Sequence, residues 1–86
     1  MKVVIIEDEH YAAEALEKML RKIKSNLIVF GKIASVEEGR ACFSTQPIPD
    51  LVFSDIQLSD GLVFEIFEDH PLHCPVVLRP LSISMP

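Results

Sequence analysis

Val3-Val4-Ile5-Ile6 is an unbroken β-branched run, the pattern of a strand buried on both faces of a parallel sheet. The period then changes. Ala12, Leu16, Met19, Leu20 and Ile23 fall on one stripe of a repeat of about 3.6 residues, which predicts an amphipathic helix. Acidic Glu9 and Glu14 stand early in it, and Lys18, Arg21, Lys22 and Lys24 stand late, matching the helix dipole. Glu14–Lys18 and Glu17–Arg21 are i,i+4 pairs in the favourable orientation. Ser25-Asn26 breaks the helix, and Leu27–Phe30 reads as a second strand. Ser35-Val36-Glu37-Glu38 is a capping box, which opens a helix running to about Phe43. Pro47 and Pro49 punctuate the next loop, and Leu51-Val52-Phe53 is a third buried strand ending at Ser54-Asp55. Asp60-Gly61 precedes Leu62, Val63, Ile66 and Phe67, a third helix of about two turns. Pro71 and Pro75 bracket a loop before a fourth strand, Val76-Val77-Leu78. The order βαβαβαβ with short connections implies an α/β fold, a parallel sheet with helices on both faces.

Composition narrows the class. The chain has 86 residues, room for one small domain, and 49% of them are hydrophobic, as in a folded globular chain. Eight basic against 13 acidic residues give a net charge of −5, which disfavours nucleic acid as a partner. No apolar run reaches the roughly 18 residues of a membrane span, and the first apolar run is too short for a signal peptide. Cys42 and Cys74 show no framework spacing and read as reduced thiols in the cytoplasm.

The chemistry gathers at two strand ends. The first strand runs into Glu7-Asp8 and the third into Asp55. Ligands of open parallel sheets bind beyond the carboxyl ends of the strands. If these two strands are neighbours, three carboxylates share one pocket and call for a cation. Hard oxygen ligands suit Mg²⁺. An aspartate beside such a cation can accept a phosphoryl group, because the metal neutralises the incoming oxygens.

Ile5-Ile6-Glu7-Asp8-Glu9 followed by an amphipathic helix, with Pro49-Asp50-Leu51-Val52-Phe53-Ser54-Asp55-Ile56-Gln57-Leu58, resembles the receiver domain of two-component response regulators. Asp55-Ile56-Gln57-Leu58 and Phe64-Glu65-Ile66-Phe67 look most like receivers that precede a LytTR-type DNA-binding domain. The resemblance covers residues 1–78 and implies a flavodoxin-like sheet with strand order 2-1-3-4. It further implies that Asp55 is the phosphoacceptor. Asp8 then coordinates Mg²⁺ directly, Glu7 does so through water, and Gln57 contributes its backbone carbonyl. A sensor histidine kinase would be the phosphodonor, in the cytoplasm, and the module would signal rather than catalyse.

Receivers continue after the fourth strand with a Thr or Ser that senses the phosphoryl group, a fifth strand ending in Lys, and further helix. Residues 79–86 do not follow that pattern: Pro80 takes the hydroxyl position, and the fifth strand and last two helices have no counterpart. Leu78–Pro86 can be back-translated so that a one-base shift reads Phe-Thr-Thr-Ala-Phe-Asp-Gln-His-Ala, the family's usual continuation. The expectation is therefore an incomplete receiver at 1–78 with a frameshifted tail at 79–86, impaired switching, and self-association through an exposed fourth strand. Two other functions compete: an interaction fragment that is not phosphorylated, and a Mg²⁺-dependent aspartate phosphatase, against which the Asp55/Asp60 spacing speaks. His70, His73 and Cys74 suggest zinc but lack a second ligand pair. Phe43, Phe53, Phe64 and Phe67 read as packing residues.

Overall fold

The computed structural model describes residues 1–45, 48–71 and 74–79, with Phe30 and Arg79 described as backbone only. Its main sheet is built from β1 (Lys2–Ile6), β2 (Ile28–Ile33), β3 (Leu51–Asp55) and β6 (Val76–Arg79), in the order β2-β1-β3-β6, all parallel. Two short strands, β4 (Gln57–Leu58) and β5 (Gly61–Leu62), form a separate antiparallel hairpin between β3 and the last helix. The expected order 2-1-3-4 is thus observed, the fourth strand of the reading being β6. The hairpin was not anticipated, since strands of two residues carry no period to detect.

β1 lies at the centre, and its alternation divides the core in two. Val4 and Ile6 belong to a cluster with Ile33, Val52, Leu58, Val63 and Ile66. That side carries α2 (Val36–Thr45) and α3 (Phe64–Asp69). Val3 and Ile5 point to the opposite face, against Ala13 and Leu20 of α1 (His10–Ile23) and Leu27. Both faces of the sheet are therefore covered, as the continuous apolar run requires. Phe43 and Phe67 pack on the first cluster and Phe53 on the second, whereas Phe64 is exposed.

The α1 stripe is rotated from its expected line. The sheet-facing residues are Ala13, Leu16 and Leu20, while Met19 (57% exposed) and Ile23 (77%) face outward. Met19 stands one residue, about 100°, round from Leu20, and Ile23 is the last helical residue, where the chain turns away. Glu9 caps the helix by accepting from the Tyr11 N–H (3.2 Å). Glu17 takes Arg21 as expected (2.8 Å) and also reaches Lys32 of β2 (2.6 Å), whereas Glu14 pairs with His10 rather than Lys18 (2.7 Å). The two cations, Lys32 foremost, hold the Glu17 carboxyl below its usual range.

β2 extends past the expected Phe30 to Ile33, because Gly31, Lys32 and Ile33 pair with Val4, Ile5 and Ile6 after an irregularity in register. The Ser35 capping box is present, the Glu38 N–H donating to Ser35 Oγ (3.1 Å). Glu38 Oε1 accepts from the Ala34 N–H (3.2 Å) rather than from Ser35. Cys42 and Cys74 are free, half-buried thiols, and desolvation pushes both thiol pKa values up.

Candidate functional site

Parallel pairing of β1 with β3 sets Ile6 opposite Ser54, so the residues leaving both strands arrive at one place. Glu7 extends the ladder one step further, its N–H donating to the Ile33 carbonyl (2.8 Å). Its carboxylate accepts from the Glu9 N–H (3.2 Å), which turns the chain into α1. Glu7 and Asp55 are only 6% and 5% exposed, and Asp8 is exposed. One carboxylate oxygen from each of Glu7, Asp8 and Asp55 lies within 4.8 Å of the others. All three residues singled out at the strand ends therefore converge. Three hard anionic oxygens, one of them open to solvent, form a donor set suited to Mg²⁺, which keeps part of its water shell. The donors present fit that ion.

Ser54 was not anticipated. It is buried beside Asp55 and donates its hydroxyl to the Asp55 carbonyl (2.7 Å), fixing the backbone that carries the carboxylate. A cavity of about 210 Å³ opens next to the carboxylates, with Leu16, Phe53, Val77 and Leu78 as its apolar wall.

Gln57 lies on the hairpin directly after the site. Gln57 faces Leu62, and since the preceding pair is closed by the Val63 N–H donating to the Ile56 carbonyl (2.9 Å), antiparallel alternation makes Gln57–Leu62 a non-hydrogen-bonded pair. The Gln57 carbonyl is left outside the hairpin's own ladder, at a position not bonded to its partner strand. Gly61 supports the turn at φ +151°, which a side-chain-bearing residue rarely adopts.

Asp60 does not join the cluster. Its oxygens accept from the N–H groups of Val36 (2.8 Å) and Glu37 (3.2 Å) at the start of α2. These bonds, that from Val36 first, hold its carboxyl below the usual aspartate range. An acid–nucleophile pair of Asp55 with Asp60 is not what the fold builds. His73 of the zinc reading lies outside the described residues, as do Pro80–Pro86 of the tail. Among the described residues the carboxylate group is the one cluster able to hold a metal, and no helix is long and apolar enough to cross a membrane.

No family model matches the chain. Over 66 residues, 77% of the chain, it is 39% identical to the sensory transduction protein LytT of Bacillus cereus, of which the match spans 26%. The solution structure of the PhyR response regulator REC domain of Erythrobacter litoralis superposes with a TM-score of 0.76 at 29% identity, covering 92% of this chain and 61% of that one. The crystal structure of the response regulator PhyR of Brucella abortus gives 0.69 at 32% identity, covering 90% and 32%. A parallel sheet ordered β2-β1-β3-β6, with carboxylates gathered at its strand ends, is the arrangement that the resemblance to receivers implied. The chain is a receiver domain of the response regulators of two-component systems, and its sequence is LytT-like. It spans about a quarter of the length of the curated relative it matches.

Proposed function

We propose that this domain accepts a phosphoryl group on Asp55 from the phosphohistidine of a sensor histidine kinase. An Asp55 carboxylate oxygen attacks phosphorus, the histidine N–P bond breaks, and its electron pair returns to the imidazole nitrogen. The product is an acyl phosphate on Asp55. Asp8 and Asp55 would hold Mg²⁺ directly, Glu7 through water, and Gln57 through its carbonyl. The ion supplies neutralisation of the charge on the transferred oxygens. Ser54 holds the Asp55 backbone in place during attack. The observation that carries this reading is the meeting of Glu7, Asp8 and Asp55 within 4.8 Å at adjacent strand ends.

On this reading the domain is a cytoplasmic signalling module rather than a turnover enzyme. Its net charge of −5 supports a protein partner over direct contact with DNA. Incubation with acetyl phosphate and Mg²⁺, followed by intact mass measurement, should show one added phosphoryl group. The addition should disappear in Asp55→Asn and on chelation of Mg²⁺. An unmodified parent chain, or equal modification of the variant, would refute the assignment.

A further inference from the structure

The hairpin after Asp55 is tied down at three points. At its base the Val63 N–H donates to the Ile56 carbonyl (2.9 Å). In its middle, Leu58 is buried in the cluster shared with Val63 and Ile66. At its tip, Asp60 reaches across to α2 and accepts from two successive N–H groups, those of Val36 and Glu37. The third tie has a different character from the other two. It is long-range in sequence, only part-buried, and made by a single side chain, so one substitution can release it without opening the core.

α2 does not depend on Asp60 alone for its start. Ser35 already accepts from the Glu38 N–H (3.1 Å), as an ordinary N-cap does. Asp60 takes the two orphan N–H groups that Ser35 leaves. One carboxylate thereby joins two elements, while the Ser35 cap serves α2 alone. Gln57 sits three residues from the hairpin tip on the arm facing Leu62, with its carbonyl outside the ladder.

We propose that Asp60 is a positioning residue for the metal site: by clamping the hairpin to the N-terminus of α2, it holds the Gln57 carbonyl where the Mg²⁺ ligand set needs it. This rests on the metal reading above. Groups that orient ligands without touching the metal typically change affinity by roughly 10–100-fold when removed. Because Asp60 acts through the backbone of a short hairpin, the lower end applies. Coupling is reciprocal, so Mg²⁺ binding also tightens the clamp and slows hydrogen exchange at the Val36 and Glu37 amides.

The test is a Mg²⁺ titration by NMR on the whole chain, with thermal midpoints recorded in parallel for Asp60→Ala, Asp60→Asn and Ser35→Ala. Ser35→Ala removes a cap from the same helix without touching the hairpin, so it reports what mere loss of stability does. The expected result is a dissociation constant raised on the order of tenfold in Asp60→Ala. Asp60→Asn, which keeps one acceptor oxygen, should fall in between, and Ser35→Ala should stay within about twofold of the parent despite a lowered midpoint. Mg²⁺ should slow exchange of the Val36 and Glu37 amides in the parent and lose that effect in Asp60→Ala. Equal affinities in parent and Asp60→Ala, or equal weakening in Asp60→Ala and Ser35→Ala, would overturn the inference. Should Asp60→Ala fail to fold, Asp60→Asn against Ser35→Ala decides on the same terms. A parent that binds no Mg²⁺, or binds it unchanged after Asp8→Ala, refutes the metal reading itself and the inference with it.

Discussion

Gly39→Ala is a substitution in which two ordinary effects oppose each other and the structure decides the sign. Alanine in the interior of a helix is favoured over glycine by about 1 kcal/mol, so on propensity alone the variant should be more stable. Gly39, however, is buried where α2 meets α3. A Cβ built there would overlap Ile66 Cδ1 and stand 3.0 Å from Cγ1 and 3.4 Å from Cγ2 of the same side chain. Rotating the outer methyl could relieve the first contact but not the second, because Cγ1 moves only with the whole side chain. Ile66 has nowhere to go: it is fully buried, packed with Val36, Val63 and Leu58. Overpacking of this kind costs about 1–3 kcal/mol. At the middle of that range the net expectation is a loss of roughly 1 kcal/mol, that is a thermal midpoint lower by several degrees, since each kcal/mol is worth about 4–8 °C in a domain of this size. Urea melts with an unchanged slope would measure it. Gly31→Ala is the control, as its Cβ would meet Val4 at 3.5 Å, an ordinary contact. A Gly39→Ala chain as stable as the parent, or more stable, would show that α2 and α3 part at little cost and that the reasoning is wrong.

Acid should release the Asp60 clamp. Its pKa in the folded chain is lowered, so its contribution is complete above the ordinary aspartate value and is lost as pH falls through the lowered one. Exchange protection at the Val36 and Glu37 amides should hold at pH 5 and fail only well below about pH 4, and failure near neutrality would contradict it. Lys32→Met removes the bridge from β2 to Glu17 of α1, and because Lys32 is largely exposed the loss by chemical denaturation should not exceed about 1 kcal/mol. Among the described residues β6 pairs only with β3, and Val77 and Leu78 remain 44% and 39% exposed. Sedimentation equilibrium should therefore detect association that Val77→Lys abolishes, and a parent monomeric at high micromolar concentration would count against it.

What the sequence made legible follows from which signals are local. Val3–Ile6 announced a doubly buried strand, and the strand is central with both faces covered. Glu7, Asp8 and Asp55 could be placed together because each follows a strand directly, so adjacency of β1 and β3 was enough. The phase of α1 was not legible. Its rotation is set by the docking of Ala13 and Leu20 and by Glu17 reaching Lys32 across the fold, and Met19 looked as apolar as any core residue. The extension of β2 through Gly31 and Lys32 needed the partner strand to be known. Asp60 stood in the sequence only as the residue before Gly61 ahead of the third helix, and nothing in its neighbourhood revealed that its carboxylate serves a helix 24 residues earlier.

The central place of β1 has a consequence in time. Its partners lie on either side in space but at very different distances along the chain, β2 beginning at Ile28 and β3 at Leu51. During synthesis at about 5–20 residues per second, roughly 2–10 s separate the emergence of β1 from that of all of β3. For that interval β1, α1 and β2 can assemble only half a sheet, and the open side of Val3–Ile6 offers unpaired backbone and apolar side chains to other nascent chains. The carboxylate site is incomplete for the same interval, because Glu7 and Asp8 arrive with β1 and Asp55 closes β3. Ribosome-bound chains stalled before and after Asp55 has left the exit tunnel should therefore differ sharply in protease resistance, and the strand that organises the mature domain is the one most exposed while it is being made.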